Sequence, residues 1–274
     1  MHTDELELRT KDGLTLTGKI WRPEGEPKKI ICLVHGHGEH IGRYEHFAAH
    51  FVECGIALFA VDLRGHGKSE GKRGHAPSYD LLMSDVEELV KAARVEYNDT
   101  PIILYGHSMG GNLVAGFILQ NNMKELEAAV LSSPWLTLAF DPPSVQVKLA
   151  KFVRKLLPSF TQHSKLDVQL LSKDPEVIKA YQEDPLVHDL VSPSLFLSII
   201  KGGQDALSKA SELKLPTLVM HGDDDKITSA DSSGRFARDA GAEYKLWKGL
   251  KHEPHNEPEQ KEVLTYVSDW ILKK

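Results

Sequence analysis

The chain has 274 residues, long for one domain but within the range that α/β folds reach as a single unit. Apolar residues make up 41% and charged residues 26%, with 21 Gly and 14 Pro, which excludes the disordered, collagen-like and coiled-coil classes. A formal charge of −6 lacks the broad basic footprint of a general nucleic-acid binder, so no nucleic-acid partner is expected.

The chain opens on His2-Thr3-Asp4-Glu5, which is acidic and has no apolar h-region, so no signal peptide is expected. Leu6 and Leu8, a turn at Lys11-Asp12-Gly13, then Leu14, Leu16, Gly18 and Ile20 recur at period two and predict an antiparallel hairpin at a sheet edge. After Pro27 the pattern changes. Ile30-Ile31-Cys32-Leu33-Val34 is a continuous apolar run, the mark of a strand buried on both faces. Similar runs occupy 56–61, 102–105, 128–131 and 215–220, and a more alternating strand occupies 243–247. Helical periodicity falls between them, over 43–54, 79–97, 109–121, 230–240 and 258–272. Strands alternating with helices predict βαβ units and a mostly parallel sheet covered on both sides. Cys32 and Cys54 lie in apolar runs, make no disulfide framework and fit a reducing compartment. No apolar run is long enough to span a membrane, so the expected location is the cytoplasm.

One stretch breaks the alternation. Between residues 135 and 210 no buried strand is visible, and Pro142, Pro143, Pro158, Pro175, Pro185 and Pro193 punctuate short helical pieces. This predicts a helical cap inserted late in the sheet, dividing the chain into a core of 1–134 and 211–274 and a cap of 135–210.

Gly106-His107-Ser108-Met109-Gly110 follows one buried run and precedes a helical pattern, the strand–turn–helix setting in which G-x-S-x-G presents a nucleophilic serine. Glycine is needed two positions either side because the turn is too tight for side chains there. The helix N-terminus behind the serine adds positive potential. In this architecture the partners follow in the order Ser, acid, His. After the run at 215–220 comes His221-Gly222-Asp223-Asp224-Asp225, and after 243–247 comes His252-Glu253-Pro254-His255. Both loops fall at carboxyl ends of strands, where open α/β sheets bind ligands. Spacing alone leaves the choice among the aspartates, and between the histidines, open. Stabilising an oxyanion requires backbone N–H donors. The residue after the nucleophile, Met109, supplies one. The loop His35-Gly36-His37-Gly38-Glu39-His40 supplies the other from His37.

At this point a family becomes recognisable. The chain resembles the monoacylglycerol lipase and lysophospholipase group of the α/β-hydrolases over nearly its whole length. The resemblance rests on His35 to Tyr44, on Asp62-Leu63-Arg64-Gly65-His66-Gly67-Lys68-Ser69, on Gly106 to Gly110, on Asp184-Pro185-Leu186 and on the two late loops. It implies an α/β-hydrolase fold and a serine esterase acting on monoacylglycerols or similar single-chain lipid esters. It implies Asp225 as the acid, His252 as the catalytic histidine and His255 as a pocket-lining histidine near the glycerol end, with His107 beside the nucleophile. No cofactor or metal is called for. His37 departs from the small residue usual at its position, so its imidazole is expected to narrow or polarise the alcohol pocket. Asp62 to Ser69 is read as a structural turn.

Two other classes compete. His35-x-His37-x-Glu39-His40 is close to the H-x-H-x-D-H loop of dinuclear zinc hydrolases, but Glu replaces Asp and zinc leaves the serine elbow unexplained. Proteins of one fold can also serve as non-catalytic binding modules. Retention of Ser108, Asp225 and His252 together argues against that. Within the esterases, a lysophospholipase or a carboxylesterase for small esters is the alternative. In the cap, Val145, Leu149 and Phe152 fall on one helical face, with Lys148, Lys151, Arg154 and Lys155 largely elsewhere. Such a helix either lines the acyl pocket or makes peripheral contact with a lipid surface.

Overall fold

In the computed structural model, residues 1–120 and 126–274 are described. The expected hairpin is present. β1 (His2–Arg9) and β2 (Thr15–Arg22) pair antiparallel with Leu8 opposite Leu16, and β1 forms one sheet edge. The chain continues through β3 (Lys29–Val34), α1 (Glu45–Glu53), β4 (Ile56–Val61), α2 (Tyr79–Glu96), β5 (Ile102–His107), α3 (Met109–Gln120) and β6 (Leu126–Ser132). It then leaves the sheet for α4 (Ser144–Leu156), β7 (Gln162–His163), α5 (Pro175–Glu183), β8 (Leu190–Val191) and α6 (Pro193–Lys209). It returns as β9 (Thr217–Gly222), α7 (Ala230–Ala240), β10 (Glu243–Trp247) and α8 (Gln260–Leu272). The main sheet runs β1-β2-β4-β3-β5-β6-β9-β10, and every pairing from β4 to β10 is parallel. This is the α/β-hydrolase fold. Among the described residues no helix is long and apolar enough to cross a membrane.

The continuous apolar runs are explained by two cores, one on each side of the sheet. Ile30, Cys32 and Val34 of β3 point into a core with α2, α3, α6 and α7, whereas Ile31 and Leu33 point into a second core with α1 and α8. A strand covered on both faces has no polar face to show, so alternation disappears from its sequence. Helix starts follow local capping. Ser78, Ser192 and Ser229 accept backbone N–H bonds at the starts of α2, α6 and α7, and Gly241 closes α7 in the left-handed region at φ 64°.

The helix expected from residue 43 begins at Glu45, because Ile41–Tyr44 forms a 3-10 turn first. Asn121, the expected end of the next but one helix, lies outside the described residues. β5 runs past Tyr105 to His107, since pairing with β6 continues to His107 opposite Ser132.

Part of the excursion between β6 and β9 packs against the main core. Leu195, Ile199, Ala206 and Leu207 of α6 are buried in the main core beside α3. Leu171, Ile178 and Tyr181 instead form a small separate cluster with Ile227. A helix packed into the core carries no strand signal either, which is why sequence pattern placed α6 inside the 135–210 segment.

Candidate active site

Ser108 sits where β5 turns into α3, with φ at 52°, in the left-handed region that side chains normally avoid. Its backbone is held on both sides. The N–H donates to the Ser132 carbonyl at 3.0 Å, and the Ser108 carbonyl accepts from Asn112 N–H at 3.0 Å and Trp135 N–H at 2.9 Å. The flanking glycines have a steric reason. A Cβ on Gly106 would lie 2.4 Å from the Gly110 carbonyl oxygen, and one on Gly110 would lie 2.0 Å from that of Val34. Such contacts leave no room for alanine without moving the turn.

The two late loops converge on this serine. His252 Nε2 lies 2.9 Å from Ser108 Oγ, and His252 Nδ1 lies 2.8 Å from Asp225 Oδ2. Of the aspartates that spacing left open, Asp225 alone points inward. Asp223 Oδ1 accepts from the Gly249 N–H at 2.6 Å, and Asp224 pairs with Lys226 at 2.9 Å on the surface. Asp225 Oδ1 accepts from the N–H groups of Ile227 at 2.7 Å and Thr228 at 3.1 Å. Oδ2 accepts from Thr228 Oγ1 at 2.8 Å and His221 Nε2 at 2.9 Å besides His252. Burial alone would raise the Asp225 pKa, but the facing His252 and His221 rings outweigh it and hold the carboxyl well below the carboxylate range. Burial alone would also keep His252 neutral; the Asp225 carboxylate against it reverses that and lifts its pKa above the ordinary histidine value.

The loop after β3 lies against the serine. A Cβ on Gly36 would come within 2.7 Å of Glu39 Oε1 and 3.3 Å of Ser108 Cβ. Glu39 ties the loop together: Oε1 accepts from Gly36 N–H at 2.6 Å and Tyr44 OH at 2.8 Å, and Oε2 from Arg43 at 2.7 Å. Met109 starts the helix behind Ser108, so its N–H is among those with no carbonyl of its own helix to meet. The His37 ring turns toward His66 and His188, with centroids 5.5 and 5.7 Å away. Burial pushes its pKa down to about 3. Gly38, at φ 80°, brings the loop so close to the His188 carbonyl that a Cβ would sit 2.3 Å from it, and the ring follows that contact.

The zinc-like spacing of the same loop has another explanation. His35 Nε2 accepts from Leu63 N–H at 2.8 Å while Nδ1 donates to the Gly36 carbonyl at 2.7 Å. His40 Nδ1 accepts from Gly42 N–H at 3.1 Å while Nε2 donates to Asp184 at 2.8 Å. Both rings therefore have their nitrogens committed to holding the loop. Asp62 behaves as a turn residue: Oδ1 accepts from Ile41 N–H at 2.8 Å and Oδ2 from Lys68 N–H at 2.7 Å.

His107 and His255 are brought to the site. The His107 ring lies 5.0 Å from that of His252 and 4.7 Å from that of His255, which stacks on Tyr44 at 5.0 Å. His107 Nδ1 and both His255 nitrogens are buried without a hydrogen-bond partner among the described residues. Burial pushes His255 down to about 3 and His107 also well below its ordinary value, so both rings are neutral. The cap residues are placed differently. Val145, Leu149 and Phe152 are 73%, 58% and 61% exposed, so the α4 stripe faces outward.

Sequence reasoning missed three participants. Arg43 makes a bidentate pair with the buried Glu253 at 2.8 and 2.7 Å while also holding the buried Glu39, and only their coming together in space reveals it. Thr228 and His221 were passed over because a threonine or histidine near an aspartate is unremarkable in a sequence.

Residues 25–259 match the family Hydrolase_4, described as serine aminopeptidase, S33. The chain is 37% identical over 264 residues to the monoacylglycerol lipase of Mycolicibacterium smegmatis, covering 95% of this chain and 94% of that protein. It is 34% identical over 97% of its length to an uncharacterized abhydrolase domain-containing protein of Dictyostelium discoideum, of which it spans 29%. The crystal structure of Paleococcus ferrophilus monoacylglycerol lipase superposes with a TM-score of 0.84 at 30% identity, covering 100% of this chain and 99% of that one.

Proposed function

The chain belongs to the Hydrolase_4 (serine aminopeptidase, S33) family, and on that premise we propose that it hydrolyses monoacylglycerols and similar single-chain lipid esters through an acyl-enzyme on Ser108. The observation that carries this reading is the continuous line from Ser108 Oγ through His252 to Asp225, at 2.9 and 2.8 Å, in a chain whose full-length relatives are carboxylic-ester hydrolases. Ser108 attacks the ester carbonyl while His252 Nε2 takes its proton. Asp225 holds the His252 tautomer and stabilises the imidazolium. The N–H groups of His37 and Met109 stabilise the oxyanion. His252 then protonates the departing alcohol, and water, deprotonated by the same ring, releases the acid. The unpaired nitrogens of neutral His107 and His255 offer the alcohol end both donor and acceptor sites. Glu39 and Glu253 are each occupied by Arg43, which argues against their serving as the anionic seat for a peptide N-terminus.

His252 must be neutral to act as base, and its pKa lies above the ordinary histidine value of about 6.5. Activity should therefore be lost as pH falls through that raised value. The acid limb of kcat/KM against pH is expected above about 6.5, and a limb well below it contradicts the pairing with Asp225.

A panel of p-nitrophenyl esters of graded length, monoacylglycerols, diacylglycerols and lysophospholipids tests the substrate. Each buried CH₂ contributes about 0.8 kcal/mol, so kcat/KM should rise roughly threefold to fourfold per methylene until the acyl site is full. A flat profile from acetate to long chains would instead point to small polar esters.

The outward stripe of Val145, Leu149, Phe152 and Leu156, with Lys148, Lys151, Arg154 and Lys155 on the same helix, favours lipid-surface contact by the cap over pocket lining. The cap is then the 135–210 excursion, whose last helix, α6, packs on the core. Phe152→Asp is expected to reduce binding to anionic vesicles and hydrolysis of dispersed long-chain monoacylglycerol severalfold, sparing p-nitrophenyl acetate. Equal losses on both substrates would count against it.

A further inference from the structure

The catalytic histidine is one of two that meet the acid. His221 ends β9 fully buried, and its Nε2 lies 2.9 Å from Asp225 Oδ2, the oxygen that also takes His252 Nδ1. The tautomer follows from the partners. Nε2 faces two acceptors, Asp225 Oδ2 and the Thr228 carbonyl at 3.2 Å, so it carries the hydrogen. Nδ1 is then the acceptor, and the Ser233 hydroxyl, buried in the first turn of α7, donates to it at 2.9 Å. A line of hydrogen bonds thus runs from Ser233 through His221 and Asp225 to His252 and Ser108.

We propose that His221, oriented by Ser233, is a positioning residue for this reaction: it shares the Asp225 carboxylate with His252 and so sets how strongly that carboxylate raises the basicity of His252. The inference rests on the Ser108-His252-Asp225 reading above. A carboxylate oxygen already accepting from His221 and Thr228 has less charge to offer the imidazolium of His252. Removing one donor returns that charge to His252. The rise in its pKa moves the acid limb of the pH profile upward, because the base stays protonated to higher pH. His221 is also one of the donors that fix the Oδ2 oxygen His252 shares, so its loss loosens that oxygen and costs rate at every pH. The other charged or titratable groups facing His252 among the described residues are Glu253, Glu39 and the His107 and His255 rings, with Arg43 paired to both glutamates; none of them changes in the variants below.

The test is kcat/KM against pH for a soluble p-nitrophenyl ester, with fluorophosphonate titration of the reactive serine at each pH to count active molecules. His221→Phe removes the donor and keeps a ring in the space. Its acid limb should move up by about one pH unit, the scale of one hydrogen bond to a charged group, with kcat at the plateau lower by roughly tenfold. His221→Gln keeps an N–H donor and should return the limb most of the way to wild type. Ser233→Ala leaves the ring in place but frees its tautomer, and should shift the limb in the same direction by less. A merely structural His221 would lower the titrated fraction and leave the limb where it is. An unmoved limb in His221→Phe and Ser233→Ala overturns the proposal, as does a Gln variant that shifts as far as Phe; if the Phe variant fails to fold, Ser233→Ala and His221→Gln decide alone. Failure of the wild type to react with the fluorophosphonate would instead sink the serine reading beneath it.

Discussion

Ser108→Ala is expected to lower kcat/KM for a monoacylglycerol by roughly 10³-fold or more, the scale on which removal of one member of a nucleophile–base–acid unit acts. The loss should be almost wholly chemical. What holds the elbow is main chain: the Ser108 N–H on Ser132 and the Ser108 carbonyl on the N–H groups of Asn112 and Trp135. Those bonds survive the substitution, and alanine keeps the Cβ already accommodated beside Gly36. Among the described residues the hydroxyl itself meets only His252 Nε2, so its removal leaves one hydrogen bond unmade in a site already built around the serine backbone. The melting temperature should therefore change by no more than a few degrees. A fluorophosphonate should label the wild type at Ser108 and leave the variant unlabelled. Full activity in the alanine variant, or labelling at another serine, ends the assignment.

Asp225→Asn should be nearly as severe, with kcat down by roughly 10³- to 10⁴-fold. The carboxylate receives N–H and O–H donors on both oxygens, from Ile227 and Thr228 backbone, Thr228 Oγ1, His221 and His252. An amide has only one acceptor atom. Whichever way it turns, its NH₂ group faces hydrogens, and the His252 tautomer that leaves Nε2 free to take the serine proton loses its anchor. The imidazolium formed in the reaction also loses its counter-charge. Asp223→Asn and Asp224→Asn act as internal controls: both side chains are exposed, and neither reaches the site, so kcat should stay within about twofold of wild type, as expected for surface substitutions. Steady-state kinetics on the three variants is sufficient. Greater sensitivity at Asp223 or Asp224 than at Asp225 would mean that the loop is wrongly registered.

The architecture was legible because burial leaves a pattern. Strands covered on both faces read as unbroken apolar runs, and the amphipathic helices between them read at their own period, so sheet and helix layers followed from Ile30–Val34 and its counterparts. The serine was legible because its turn admits only glycine at Gly106 and Gly110, and steric exclusion leaves a mark in the sequence. The acid was not: Asp223, Asp224 and Asp225 are chemically identical in a chain, and it took family resemblance to prefer one.

What the sequence determined by itself was therefore local: element periods, glycine-only turns, and the chain order of the proposed nucleophile, acid and base. The fold alone decided which side chains share a site. Arg43 meets Glu253 across 210 positions, and Ser108 meets His252 across 144. His37 turns toward His66 and His188, and the apolar face of α4 points to solvent although its spacing suited a pocket lining equally well. The physical reason is the same in each case. Periodicity records whether a residue faces its own element's buried side, whereas hydrogen bonds, pKa shifts and exposure depend on what the rest of the chain brings to that side.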